Sequence, residues 1–321
     1  ATTPVAKHGR LSVKGADLVD SKENKFQLRG ISTHGINWDV GSPYVNKKAF
    51  KTLRDDWGVN AIRLAMYTEE YNGYCSGGSQ AKLRKLVDKG VGYATDLGMY
   101  AIIDWHILSD GNPNKNKSQA KKFFTTMAKK YKNNKNVIYE ICNEPNGCSW
   151  KEIKSYATDI IKTIRKYDKK AVIIVGTPTW SQLGTDGTSN EVADSPIKGY
   201  KNIMYSLHFY ASEWAHNEYL PAKVAYARKK KLPIIVSEFG LSPASGDGAI
   251  NKASADKWMK LLNKYNISYF CWSLSNKNES ASLLKPSTKK TSGWKSGDLS
   301  TAGKYIKKKY LARKKALGKK A

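Results

Sequence analysis

Eight short apolar runs, separated by lysine-rich segments of helical periodicity, constrain this chain more than any other feature. The runs are FQLRGISTHG, NAIRLAMY, YAIIDWH, VIYEICNEP, AVIIVGTP, IMYSLHFY, PIIVSEFG and ISYFCWSL. Most are continuously apolar rather than alternating, as strands buried on both faces require. Between them, KKAFKTLRDDW, SQAKLRKLVDKGVGYATDLG, SQAKKFFTTMAKKY, WKEIKSYATDIIKTIRKYD, AKVAYARKKK and ASADKWMKLLNKYN place apolar residues at helical spacing. The link between the fifth and sixth runs is irregular, with room for only a short helix. Eight strands alternating with helices over 321 residues describe an α/β fold of the (β/α)8 TIM-barrel kind. A doubly wound open sheet is the rival. That fold announces a Gly-rich phosphate loop after its first strand, and RGISTHGINW is not one.

The opening LSVKGADLVDSKENKFQ alternates like a β-hairpin, at about residues 10–28, and is expected to cover the N-terminal mouth of the barrel. No Pro/Ser-rich linker divides the chain, so one domain is expected over residues 1–321, ending in a basic helix at about 300–317. No run of about 18 apolar residues suggests a membrane span. ATTPVAKHGR carries no basic-then-apolar leader, so the chain either works in the cytosol or has had a signal peptide removed.

The charge is extreme, with 55 Lys+Arg against 27 Asp+Glu. Such a balance first suggests nucleic acid or an anionic surface. Only eight of the basic residues are Arg, the fork that reads guanine and phosphate, and the lysines spread over helix faces. A solvated basic surface is the expectation, without a nucleic-acid partner. Four cysteines make no disulfide scaffold in a chain of this size. Cys142 and Cys271 fall in strands as core residues, while Cys75 and Cys148 fall in loops, where a bridge between them stays open. No CxxC pair or Cys/His cluster points to zinc, and neither metal nor organic cofactor is expected.

In a barrel, chemistry sits at the C-terminal ends of the strands. The successive runs deliver His34 and Trp38; Arg63 and Tyr67; Asp104, Trp105 and His106; Asn143 and Glu144; Trp180; His208 and Tyr210; Glu238; and Trp272. Glu144 and Glu238 follow strands on roughly opposite sides of the mouth. Two such glutamates are the equipment of glycoside hydrolysis, one giving a proton to the leaving oxygen and the other attacking the anomeric carbon. Arg63 inside a strand needs a carboxylate partner, and Glu238 is the expected one. Tyr210 is placed to donate to the same carboxylate. Asn143 is placed to bond a sugar hydroxyl, and His106 and His208 to reach hydroxyls or tune Glu144. Trp38, Trp180 and Trp272 offer flat faces on which pyranose rings stack.

YEICNEPNG resembles the Asn-Glu-Pro signature of glycoside hydrolase family 5, in the clan of retaining barrel enzymes. RGISTHGINW, NAIRLAMYT, AIIDWHILSDGNP, HFYA, PIIVSEFGLS and CWSLSNKNESASLL follow in family order, so the resemblance runs from about Lys7 to Leu311. Together they resemble the bacterial endo-β-1,4-glucanase branch, subfamily 2. The resemblance implies Glu144 as acid/base and Glu238 as nucleophile. It implies Asn143 as a contact to the sugar 2-hydroxyl, with Arg63, His106, His208, Tyr210 and Trp272 as further active-site positions. It also implies His34, Trp38 and Tyr67 as non-reducing-side contacts and Trp180 as the leaving-group-side platform. Lys277 and Glu279 enter as contacts to distal glucose hydroxyls on the resemblance alone. The implied partner is a β-1,4-glucan polysaccharide or cello-oligosaccharide, met outside the cell by a secreted, monomeric enzyme. Mannan, xyloglucan or mixed-linkage glucan are the rival polymers, and a non-catalytic polysaccharide binder is the rival class.

Overall fold

A computed structural model describes residues 2–321. Eight parallel strands close into a barrel: β3 (Arg29–Thr33), β4 (Ala61–Tyr67), β5 (Tyr100–His106), β6 (Val137–Glu140), β7 (Ile173–Val175), β8 (Ile203–Tyr210), β9 (Ile234–Gly240) and β10 (Tyr269–Leu274). β10 pairs with β3 to complete the ring. Every residue of these strands is buried, which explains why their sequences run apolar without alternation. Ahead of the barrel lie helix α1 (Pro4–His8) and a hairpin of β1 (Ser12–Lys14) and β2 (Asp17–Val19). The paired residues are fewer than the alternation at 10–28 suggests. Beyond Val19 the chain turns through residues 20–24 and comes back along β2, with Val19 bridged to Lys25 and the Phe26 N–H donating to Leu18 O.

This segment closes the N-terminal mouth. Val5, Leu11, Leu18, Phe26 and Leu28 form one cluster with Ala61, Tyr100, Ile102, Ile138 and Phe270 from the lower strand ends. The Tyr100 hydroxyl donates to Gly9 O at 2.6 Å, tying α1 to the barrel floor.

The helices around the outside are α2 (Lys47–Trp57), α3 (Gln80–Asp96), α4 (Lys117–Tyr131), α5 (Trp150–Arg165), short α6 (Pro178–Ser181) and α7 (Glu191–Asp194), α8 (Trp214–Lys229), α9 (Lys252–Lys264) and α10 (Thr301–Leu317). The irregular link after the fifth barrel strand thus holds two single turns. α5 shows why these segments are helices. Ser149 and Glu152 form a reciprocal cap, and Ile153, Tyr156, Ala157, Ile160, Ile161 and Ile164 bury one face at helical spacing. α8 starts eight residues before the AKVAYARKKK pattern and runs through Pro221. Its first turn buries no side chain, so hydrophobic spacing could not reveal it.

Candidate active site

The upper ends of the strands open into a cleft of about 510 Å³. His34, Trp38, Tyr67, His106, Glu144, Trp180, His208, Tyr210, Glu238, Trp272, Lys277 and Glu279 all line it. Arg63 and Asn143 lie beneath, fully buried. Glu213, His216 and Gln182 also line the cleft and carry no sequence signal that marks them.

A charged knot under the cleft orients the rest. Arg63 Nε reaches Glu140 Oε1 at 2.8 Å and Nη2 reaches Oε2 at 3.2 Å, a fork on one carboxylate. Nη1 donates to Glu238 Oε1 at 3.0 Å, and Nη2 lies 3.1 Å from Asp104 Oδ2. The expected pairing of Arg63 with Glu238 is present, and Glu140, four residues before Glu144, is a further partner that takes the fork. Burial works against the guanidinium charge, but Asp104, Glu140 and Glu238 more than offset it and hold Arg63 cationic. The Tyr210 hydroxyl donates to Glu238 Oε2 at 2.8 Å, so both oxygens of Glu238 are held from below.

The Asn143 amide is spent inside the protein: Oδ1 accepts from Arg63 Nη2 at 2.6 Å and Nδ2 donates to Ile107 O at 2.9 Å. Nδ2 also lies 3.2 Å from Nε2 of His106, which lines the cleft, so Asn143 steadies the segment leading to Glu144 from beneath. His106 turns Nδ1 toward Asp104 and not toward Glu144. Burial there disfavours both charges, taking His106 down to about 3 and the Asp104 carboxyl up to about 7.

Glu144 sits four residues beyond the end of β6, its side chain 13% exposed. Burial lifts its pKa to about 8 against the opposing pull of Arg63, with Asp104 and Glu140 adding to the rise. His208 Nδ1 lies 2.8 Å from Glu144 Oε2. Glu144, His208 and Glu238 each bring one side-chain donor atom within 4.8 Å of the other two. A cation would have to compete there for His208, whose two ring nitrogens already face Glu144 and Ser237.

Aromatic rings wall one side. Trp38 lies 4.7 Å from Tyr67, and Tyr67 meets His106 edge-on at 4.9 Å. His106 stacks on Trp272 at 5.2 Å and 14°. Gly35 permits this, because a Cβ there would stand 2.2 Å from the Tyr67 ring. His34 packs against Trp272 at 4.8 Å. Burial, with Lys277 and His106 adding to it, holds His34 neutral, down to about 3. Lys277 Nζ reaches Glu279 Oε1 at 3.0 Å, so these two residues arrive at the cleft as a pair.

Across the cleft, Trp180 is 47% exposed. Thr179, Trp180 and Ser181 take left-handed backbone angles, with φ of 60°, 56° and 61°. Such conformations cost on the order of 1 kcal/mol or more each and persist only where neighbours impose them. Here Trp180 N–H donates to Pro145 O at 2.8 Å and Ser181 Oγ to Asn143 O at 2.7 Å. The turn that carries Trp180 is therefore clamped onto the segment that carries Glu144. Cys75 and Cys148 are both free thiols, and no bridge joins them.

The chain matches the family model for cellulase (glycosyl hydrolase family 5) over residues 19–278. It is 45% identical over 303 residues to endoglucanase A of Butyrivibrio fibrisolvens, covering 93% of this chain and 68% of that protein. It is also 45% identical over 314 residues to endoglucanase 5 of Pectobacterium carotovorum subsp. carotovorum, covering 97% and 59%. The chain thus spans about three fifths to two thirds of these relatives' length. The catalytic domain of Thermobifida fusca endoglucanase Cel5A, solved in complex with cellotetraose, superposes with a TM-score of 0.89 at 36% identity, covering 96% of this chain and 99% of that one. With its barrel, its cleft and its sequence in agreement, the chain belongs to glycoside hydrolase family 5.

Proposed function

We propose that this protein is a retaining endo-β-1,4-glucanase. The observation that carries the reading is the approach of Glu144 and Glu238, which bring carboxylate oxygens within 4.8 Å of each other across the cleft. Retaining glycosidases hold their carboxyl groups about 5–5.5 Å apart, whereas inverting ones leave roughly 6.5–9.5 Å for a water. Glu144, its pKa raised to about 8, keeps its proton at neutral pH and gives it to the glycosidic oxygen. Glu238, held by Arg63 and Tyr210, attacks the anomeric carbon from the opposite face and forms a glycosyl-enzyme. Glu144, now ionised, takes a proton from water, which displaces Glu238 and restores the starting configuration.

The open cleft, with Trp38 and Trp272 on one side and Trp180 on the other, supports binding in the middle of a chain. The cellotetraose complex of the Thermobifida fusca relative supports a glucan as the ligand. A polymer of that size is met outside the cell, where this reading places the enzyme, as a monomer. Hydrolysis of cello-oligosaccharides with anomer detection tests the proposal. Internal cleavage with a β-anomeric first product is expected, and an α-anomeric first product would overturn retention. Faster release of reducing sugar from galactomannan than from carboxymethylcellulose would move the substrate to another polymer.

A further inference from the structure

We propose that Ser237 is a positioning residue that selects the tautomer of His208 and so keeps the acid Glu144 supplied with its proton. The inference rests on the glucan-cleaving reading above. A line of buried contacts runs from Arg63 to Glu144. Arg63 forks Glu140. Ser237 Oγ donates to Glu140 Oε2 at 2.8 Å. His208 Nε2 lies 2.7 Å from Ser237 Oγ, and its Nδ1 lies 2.8 Å from Glu144 Oε2. Ser206 Oγ, neutral and 3.2 Å away, is the weaker acceptor for the Ser237 hydroxyl.

The proton directions follow from one end of this line. A carboxylate forked by arginine only accepts, so the single hydroxyl proton of Ser237 goes to Glu140. Ser237 Oγ then offers lone pairs to His208, and Nε2 must carry the hydrogen. Burial keeps His208 neutral, its pKa down to about 4, so Nδ1 is bare and can only accept. Glu144 satisfies Nδ1 as a carboxylic acid and opposes it as a carboxylate. This favours the proton before the first step and makes ionised Glu144 a strong base for the second. Arg63, Asp104, Glu140, Glu238, Tyr67 and Tyr210 also face Glu144; of these, Glu140 touches Ser237 and loses that hydroxyl donor in Ser237→Ala while keeping the Arg63 fork.

Ser237→Ala removes the acceptor for Nε2–H and frees the imidazole to present Nδ1–H to Glu144. The basic limb of the kcat/KM–pH profile should fall by about one pH unit, with activity near pH 5 retained. Ser237→Thr keeps the hydroxyl and should leave the limb in place. An unmoved limb in Ser237→Ala, or an equal shift in Ser237→Thr, would overturn the proposal. A direct check needs no active-site loss: the ¹⁵N shifts of His208, assigned by comparison with His208→Asn, should report the Nε2–H tautomer. The Nδ1–H tautomer would sink the idea. An unaltered chain that cleaves no glucan yet shows Nε2–H would count against the function and leave the tautomer assignment standing.

A different observation carries a second inference, resting on the same reading. We infer that Trp214 and Tyr219 extend the leaving-group side of the cleft as a platform for further glucose units of the chain. Trp214 is 69% exposed and Tyr219 37%, and their rings meet edge-on at 6.0 Å. They stand on the first two turns of α8, where no residue before Leu220 is buried. The patch continues the cleft, because Glu213 and His216, on either side of Trp214, both line it. Tyr219 packs over Gly187, in the loop that follows Trp180, and Lys223 Nζ fastens that loop through Gln182 O at 3.0 Å and Asp186 O at 2.6 Å. Exposed aromatic rings rimming a polar cleft are a binding surface for the C–H faces of sugars.

Trp214→Ala should lower kcat/KM on cellohexaose about three- to tenfold and leave a 4-nitrophenyl cellobioside unaffected, since its leaving group ends near Trp180. No loss on cellohexaose, or an equal loss on both, would overturn the platform. If the unaltered chain cleaves neither substrate, the proposed function falls and the platform with it.

Discussion

Arg63 and Lys122 carry the same charge in opposite surroundings. Arg63 is fully buried and touches three carboxylates, while Lys122 is exposed on α4 and makes no ion pair among the described residues. The barrel mouth holds a handful of ionisable groups, each fixed by strands and hydrogen bonds. The helix surface holds most of the 55 basic residues, loosely solvated. The difference teaches where charge does chemistry. In the dry mouth a neighbour's charge moves a pKa and holds an oxygen in place, whereas on the wet surface screening removes most of that leverage. The total of +28 therefore says little about catalysis, and a few buried groups say most.

The largest effects should come from the mouth. Glu238→Gln is expected to lower kcat roughly 10,000-fold or more, because it removes the nucleophile, while cello-oligosaccharide binding persists. Full activity in this variant would break the assignment. Glu144→Ala is expected to lose about 100- to 10,000-fold on substrates with poor leaving groups. Added azide should restore turnover and yield a β-glycosyl azide, since a small anion can attack the glycosyl-enzyme where no base remains. An α-linked azide product would contradict a covalent intermediate.

Arg63→Met leaves Glu140, Asp104 and Glu238 buried without their cation. Breaking a buried pair from one side costs about 3–5 kcal/mol, so a large fall in the urea midpoint is expected. Lysine cannot fork Glu140 while also reaching Glu238, so Arg63→Lys should recover only part of the loss. A midpoint equal to wild type for either variant would place the knot on the surface side of the comparison.

Next in size is the pH dependence that Glu144 imposes. Its folded pKa is raised, so the protonated form is the one that folding favours. That contribution is complete below the ordinary carboxylate range and is lost as pH climbs through about 8. kcat/KM should fall along the same basic limb. Glu144→Gln should flatten the stability profile between about pH 5 and 8, and an unchanged slope would show that another group sets it.

The barrel was legible in the sequence because continuous apolar runs and helical spacing are the direct imprint of a doubly covered parallel sheet. Glu144 and Glu238 were legible because each interrupts such a run at its end. Glu140 was not. It sits inside VIYEI, where strand periodicity hides a charge until the opposite wall supplies Arg63. The direction of His106 was missed for a related reason, since its partner Asp104 is two residues away on the same strand and only the pleat reveals their contact. Trp180 was visible as a residue, but its left-handed turn was not, because the bonds that impose it come from Asn143 and Pro145 in another loop. Glu213 and His216 escaped notice because the first turn of α8 buries nothing and so carries no hydrophobic pattern.

The smallest effect should come from the surface, and it tests the comparison from the other side. Lys121, Lys122, Lys304 and Lys308 are exposed and make no ion pairs among the described residues. Changing all four to Gln removes four charges from a strongly cationic shell. Each change should alter stability by less than about 0.5 kcal/mol, and the sum should be slightly favourable at low salt, because like charges repel in the compact state. The Debye length is about 10 Å at 0.1 M salt, so the gain should fade as salt is raised toward that value. Melting temperature against salt for both proteins measures this directly, and the two curves should converge. The kcat/KM–pH profile should be unchanged at about 0.1 M salt, because the lysines lie outside the barrel wall and act on Glu144 only through screened space. A basic limb that shifted at that salt would mean the cationic coat reaches the mouth, and the division between the two regions would fail where it matters most, at the proton on Glu144.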